Sequence, residues 1–281
     1  MQVIRSITEL KEKVKQVKQW GQTIGLVPTM GYLHEGHLSL VKGARDDCDF
    51  VVVSIYVNPI QFGVGEDFEE YPRDLTRDAR LCEEENVDII FSPSDSDMYP
   101  KGYATFVDVE ILTEGLCGRN RPGHFRGVTT VVTKLFNLVE PDKAYFGQKD
   151  AQQALVLRKM SKDFNMNLEL VIMPTVREPD GLAMSTRNHY LSEKEREAGL
   201  ALYRSLTRAE ELIEQGLRKS QEVISAVEQL INQEPLVEIE YVEIVDTKEM
   251  ERLEELRGEI LIALAVKIGK TRLIDNVIVE V

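Results

Sequence analysis

The stretch Phe50-Val-Val-Val-Ser-Ile-Tyr-Val57 constrains the fold more than any other part of the 281-residue chain. It is apolar and β-branched almost throughout, so as a strand it has no face that favours water. Such a strand is buried on both sides, as in a parallel sheet between two helical layers. The neighbouring pattern agrees. Ser6 and Glu9 make a capping box that opens a helix to about Trp20, with Gly21 as its stop. Ile24 to Val27 reads as a strand, and after a glycine-bearing turn a helix follows from about Leu38 to Asp46. Asp74 can cap a helix to about Glu85, and Val87 to Phe91 is the next strand. Helix, strand, helix and strand then alternate over Arg126 to Val139, Lys143 to Phe146, Asp150 to Asp163 and Leu168 to Met173. This alternation predicts an α/β fold, a Rossmann-like doubly wound parallel sheet, over residues 1–175.

The rhythm changes near Thr175. A loop rich in Arg, Asp, Gly and Asn runs from Val176 to Asn188. Ser192 and Glu195 then form a second capping box, opening a long helix to about Gln215, and another helix covers about Ser220 to Asn232. Three strand-like runs follow at Val237 to Val245, Glu259 to Val266 and Leu273 to Val281. Residues 176–281 are therefore expected to form a smaller α+β domain with an antiparallel sheet.

Composition narrows the function. Hydrophobic residues make up 43 % and charged residues 29 %, so a large core is within reach. The 48 acidic residues outnumber 34 basic ones, for a net charge of −14. A field of that sign repels nucleic acid and anionic membranes, leaving small molecules as partners, anions included where the pocket is locally basic. Cys48, Cys82 and Cys117 form no CxxC pair, which argues for a reducing compartment. The N-terminal MQVIRSITELKEKVKQ has no apolar signal core, and no apolar run approaches the ~20 residues of a membrane span. A cytoplasmic protein without membrane or nucleic-acid partners is expected.

Four segments carry the chemistry. Pro28-Thr-Met-Gly-Tyr-Leu-His-Glu-Gly-His-Leu38 follows a strand directly and places His34 and His37 on one face of a helix start. A helix N-terminus offers N–H donors and partial positive charge to phosphate, and Gly31 and Gly36 allow close backbone approach. Two other readings stay open: ordinary structural histidines, or metal ligands lacking a visible third partner. In Ser54-Ile-Tyr-Val-Asn-Pro-Ile-Gln-Phe-Gly63, Asn58 and Gln61 leave a buried strand at its carboxyl end, where open α/β sheets bind ligands. They can also be plain turn residues around Pro59. In Phe146-Gly-Gln-Lys-Asp-Ala-Gln-Gln153, Lys149 supplies a point charge, Asp150 can hold a ribose hydroxyl or hydrated Mg²⁺, and Gln153 lies one turn on. An ordinary helix start capped by Asp150 fits that stretch too. Thr175-Val-Arg-Glu-Pro-Asp-Gly-Leu-Ala-Met-Ser-Thr-Arg-Asn188 is the fourth, readable alone as a solvated linker. Arg119, Arg121, His124 and Arg126 cluster in CGRNRPGHFRG, as an anion site or a surface charge group.

Taken together these segments resemble, in order, those of the pantothenate synthetases. The His-x-Gly-His turn belongs to the wider superfamily of class I aminoacyl-tRNA synthetases and small adenylyltransferases; PTMGYLHEGH is more closely similar to the pantothenate synthetase form. The resemblance implies that Met30, Gly31, Tyr32, Leu33, His34, Glu35, Gly36 and His37 cradle ATP, with His37 an acid in adenylate formation. It assigns Gly147, Gln148, Lys149 and Asp150 to ATP, and it assigns Val176, Met184, Ser185, Thr186 and Arg187 to ATP as well. Gln61 would contact both pantoate and β-alanine, and Gln153 pantoate. Glu66-Asp67 and Tyr71-Pro-Arg-Asp74 match a mobile flap, and residues 176–281 would be a lid domain. The loop at Met184 corresponds to the superfamily's KMSKS loop but has no lysine, so Arg187 would carry the charge, a departure that pantothenate synthetases share. The implied reaction is ATP-dependent joining of pantoate to β-alanine through an adenylate, with His34, His37, Lys149 and Arg187 stabilising phosphate charge, in a homodimer. An adenylyltransferase making a dinucleotide-like product shares the histidine turn but leaves VNPIQFG and FGQKDAQQ unexplained. A non-catalytic nucleotide-binding module needs neither Gln61 nor Gln153.

Overall fold

The computed structural model describes residues 1–281, which divide into two compact units. The first comprises residues 1–110, 121–147 and 156–174. Its centre is a six-stranded, wholly parallel sheet in the order β1-β4-β3-β2-β5-β6. The strands are β1 (Gln2–Ile4), β2 (Ile24–Thr29), β3 (Phe50–Ile55), β4 (Ile89–Phe91), β5 (Lys143–Gly147) and β6 (Glu169–Met173). Every residue of β3 is buried, as its unbroken apolar run requires. Val51, Val53, Ile55 and Tyr145 pack with α2 (Glu35–Asp47) and with Cys82 of α3 (Leu75–Glu84) on one face. The next residue along β5, Phe146, meets Phe136 of α6 (His124–Val139) on the other. Helix α1 (Ile7–Gln19) packs against α6.

Strand order reverses between β2 and β5, the switch point at which such sheets bind ligands. The histidine turn leaves β2 at that point. Helix α2 begins at Glu35, three residues before the expected Leu38, because His34 itself caps it. Strand β1 was not expected from the sequence. It is three residues long and is held by β4 alone. The short helices α4 (Asp95–Met98) and α5 (Leu116–Asn120) were also not anticipated.

The second unit comprises residues 111–120, 148–155 and 175–281. Strands β7 (Val237–Asp246), β8 (Glu259–Ile268) and β9 (Thr271–Glu280) form an antiparallel meander. Helices α8 (Glu193–Glu214) and α9 (Ser220–Ile231) bury Leu202, Leu206, Val223 and Val227 against Ile244, Ile262 and Leu264. Two stretches from before residue 175, 111–120 and 148–155, belong here, which a single division at that residue does not provide for. Buried Gln152, at the start of α7 (Ala151–Asp163), accepts the Cys117 N–H and donates to the Leu112 and Gly115 carbonyls. Asn276 of β9 donates to the carbonyls of Gln148 and Lys149, 2.9 Å each. Long-range amide bonds of this kind leave no periodic trace in a sequence.

Candidate functional site

The turn after β2 is built from unusual backbone. Gly31 has φ +81° and Tyr32 φ +50°. A Cβ on Gly31 would lie 2.9 Å from Ile55 Cγ2, so only glycine fits there. The Tyr32 and Leu33 N–H groups both donate to Asp78, at 2.7 and 2.8 Å. Asp78 projects from α3 and is completely buried. Burial pushes its carboxyl above the ordinary value, against the pull of those two N–H groups. Sequence reading missed Asp78. Its signal is a charged residue four before Cys82 on the apolar face of an amphipathic helix.

The two histidines cap the next helix together. His34 Nδ1 accepts the Gly36 N–H at 3.1 Å, and His37 Nδ1 accepts the His34 N–H at 3.3 Å. An Nδ1 that accepts carries no proton, so each neutral ring bears its proton on Nε2. Both imidazoles are thereby set as Nε2–H donors, with ring centroids 4.1 Å apart. Met30 and Tyr32 flank them half-buried, while Glu35 is exposed beside Lys42.

Gln61 lies at the end of the 3-10 turn Pro59–Gln61 and is buried. Its carbonyl is 2.8 Å from His124 Nδ1, and His124 Nε2 is 3.1 Å from Arg121. Guanidinium only donates, so Nε2 accepts and Nδ1 carries the proton donated to Gln61. Arg121 also grips the Glu66 carboxylate with two bonds, 2.7 and 2.5 Å. Gly127 of α6 lets the turn approach: a Cβ there would stand 2.5 Å from the Ile60 carbonyl. The basic stretch is therefore not one anion seat. Arg121 and His124 serve Gln61 and Glu66, Arg126 lies 4.2 Å over the Phe106 ring, and Arg119, in the second unit, pairs with Glu243.

A cavity of about 370 Å³ opens beside Met30 and Gly31. Asp74, Asp78 and Asp95 line it, and its one arginine, Arg73, already donates to the Phe68, Glu69 and Tyr71 carbonyls. That lining does not suit an anion.

The remaining candidates come from other elements. Gly147 ends β5 in the first unit. Gln148, Lys149 and Asp150 form a 3-10 turn in the second unit that leads into α7, where Gln153 is half-buried. Lys149 Nζ is 3.7 Å from the Asp150 carboxylate. Asp150 is half exposed, and no group of three His, Cys, Asp or Glu side chains could hold a metal by itself. One accessible carboxylate suits Mg²⁺ bound mainly through phosphate and water. In the 176–188 loop the Val176 carbonyl accepts the Met184 N–H, and the backbone is bridged at Arg177 and Ala183. Ser185 caps a 3-10 turn, Thr186–Tyr190, by accepting the Arg187 N–H at 3.2 Å. Arg177, fixed by the buried Asp275, anchors the loop.

Compared with known proteins, the chain matches a family model described as Pantoate-beta-alanine ligase over residues 2–278. A pantothenate synthetase of Heliobacterium modesticaldum is 61 % identical, with 100 % of both chains covered. One from Acetivibrio thermocellus is 57 % identical over the same share. The crystal structure of pantothenate synthetase from Thermus thermophilus superposes with a TM-score of 0.94 at 45 % identity, covering 99 % of each chain. A pantoate-beta-alanine ligase from Francisella tularensis, solved with β-γ ATP and β-alanine, gives 0.81 at 34 % identity, covering 99 % of this chain and 97 % of that one. With the family model spanning nearly all of its length and full-length relatives above half identity, the chain belongs to the pantoate–β-alanine ligase family.

Proposed function

We propose that the chain condenses pantoate with β-alanine by way of a pantoyl-adenylate, releasing AMP and pyrophosphate. Family membership supports the overall ATP-dependent condensation. The observation that carries the adenylate step is the setting of His34 and His37 as paired Nε2–H donors at a helix start. A pantoate carboxylate oxygen attacks the α-phosphorus of ATP, and the bond to pyrophosphate breaks. His34 and His37 donate to phosphate oxygens as charge grows there, and Lys149 and Arg187 add positive charge. The β-alanine amine then attacks the activated carbonyl, the carbonyl–phosphate oxygen bond breaks, AMP leaves and the amine loses a proton. Gln61 would contact both pantoate and β-alanine, and Gln153 pantoate. Backbone from Met30 to His37, from Gly147 to Asp150, at Val176 and from Met184 to Arg187 would line ATP. Mg²⁺ would reach Asp150 through phosphate or water, neutralising phosphate charge. A cytoplasmic homodimer belongs to the same reading and is checked by light scattering.

The deciding experiment measures AMP release with each substrate omitted in turn, together with pyrophosphate–ATP exchange. Exchange that needs pantoate but not β-alanine is expected. Exchange that needs β-alanine, or none at all, would overturn the order of steps.

A further inference from the structure

Asn58 is completely buried, and its surroundings permit one orientation. Its side chain lies 3.2 Å from the Gly127 carbonyl oxygen. A carbonyl only accepts, so the atom facing it is Nδ2. Oδ1 then faces the Tyr99 hydroxyl at 2.7 Å, and the phenol must donate. The second Nδ2 hydrogen points at Gln61, 3.0 Å away, so the atom met there is Oε1. Gln61 Nε2 is left pointing the other way, toward the weak acceptor Met30 Sδ at 3.1 Å. One backbone carbonyl thus sets the polarity of three side chains in succession. The phenol is itself well held. Tyr103 stacks edge-on at 5.1 Å, and the Lys134 ammonium lies 5.7 Å from the Tyr99 ring centre. Burial raises the Tyr99 hydroxyl well above its ordinary range, so it keeps its proton.

We propose that Tyr99 is a positioning residue: through Asn58 it holds the Gln61 amide with its Nε2–H donors toward substrate. The seat then selects substrate oxygens that accept, the carboxylate or hydroxyl oxygens of a hydroxy acid, and rejects a donor at that point. This inference rests on the proposed contact between Gln61 and pantoate. Without the phenol, Asn58 Oδ1 has no partner in a buried place. Turning the amide over would set that oxygen against the Gly127 carbonyl, so Asn58 and Gln61 lose their single orientation together.

The test is Tyr99→Phe in the full-length protein, with KM for pantoate and for ATP, kcat and the thermal midpoint all measured. The expected result is a KM for pantoate raised about tenfold, with the KM for ATP within about twofold of the parent. A lowered thermal midpoint with an unchanged KM for pantoate would show a structural tyrosine only and overturn the proposal. A double-mutant cycle with Gln61→Ala separates the layers. If Gln61→Ala raises the KM for pantoate, the added Tyr99→Phe should have almost no further effect on it. A full additional tenfold rise would overturn the relay while leaving the role of Gln61 intact. If Gln61→Ala leaves the KM for pantoate unchanged, the substrate seat itself is refuted, and the positioning role falls with it.

Discussion

At the scale of single residues, the site works by assigning each polar atom one role. His37 Nδ1 is committed to a backbone N–H, which leaves its Nε2–H to donate. His37→Ala should lower kcat for AMP release by about 10²–10³, the usual loss for one donor aimed at developing charge. A steady-state assay with saturating ATP checks this. Asp78→Asn places an amide where two N–H groups need acceptors. One of them then faces an NH2 group, and we expect a loss of about 1–3 kcal/mol in urea unfolding. Glu66 gives a pH signature. Burial raises its carboxyl, but the Arg121 hydrogen bonds and charge outweigh that, and the net shift is downward. A depressed folded-state value means the stabilisation is complete above the ordinary value near 4.5 and fades as pH falls through the lower one. Glu66→Gln should therefore lose about 1 kcal/mol at neutral pH, and the difference should vanish in acid melts. An equal difference at all pH values would refute the pairing.

At the scale of elements, the helix starts were the most legible features. Ser6, Asp74 and Ser192 all cap their helices; Ser192 and Glu195 bond reciprocally, whereas at the expected Ser6–Glu9 box only the Glu9 N–H bond to Ser6 forms. Removing one such cap by Ser192→Ala should cost about 1 kcal/mol, read as a lower urea midpoint at an unchanged slope. Gly127→Ala tests a contact between elements. The new Cβ meets the backbone of Ile60 and Gln61, so a loss of roughly 1–3 kcal/mol is expected, with weakened pantoate binding. The histidine turn could be read because strand, glycine and helix cap are contiguous. The Tyr99–Asn58–Gln61 chain could not, since 41 residues separate its first link and only the folded sheet brings it together. Asp78 stayed hidden for the same reason: its partners sit 45 and 46 residues away. Strand β1 is too short for any period to show.

At the scale of the whole molecule, the notable fact is how the second unit is assembled. Its antiparallel sheet and helices come from the last third of the chain, but residues 111–120 and 148–155 complete it. An excised fragment of residues 175–281 would leave Asn276 and Glu243 without the carbonyls and the Arg119 guanidinium they meet. We expect that fragment to unfold without cooperativity in thermal melts, and a sharp two-state transition would contradict the account. The same threading bears on biosynthesis. The ribosome extrudes Cys117 and Gln152 long before it makes Tyr241, the hydroxyl 3.1 Å from the Cys117 thiol. At roughly 5–20 residues per second, that thiol waits on the order of ten seconds for its neighbour. Once β6 has been made, late in that interval, the nascent chain holds all six strands of the parallel sheet and a still uncovered cysteine, the moment at which an oxidant or a chaperone can reach it.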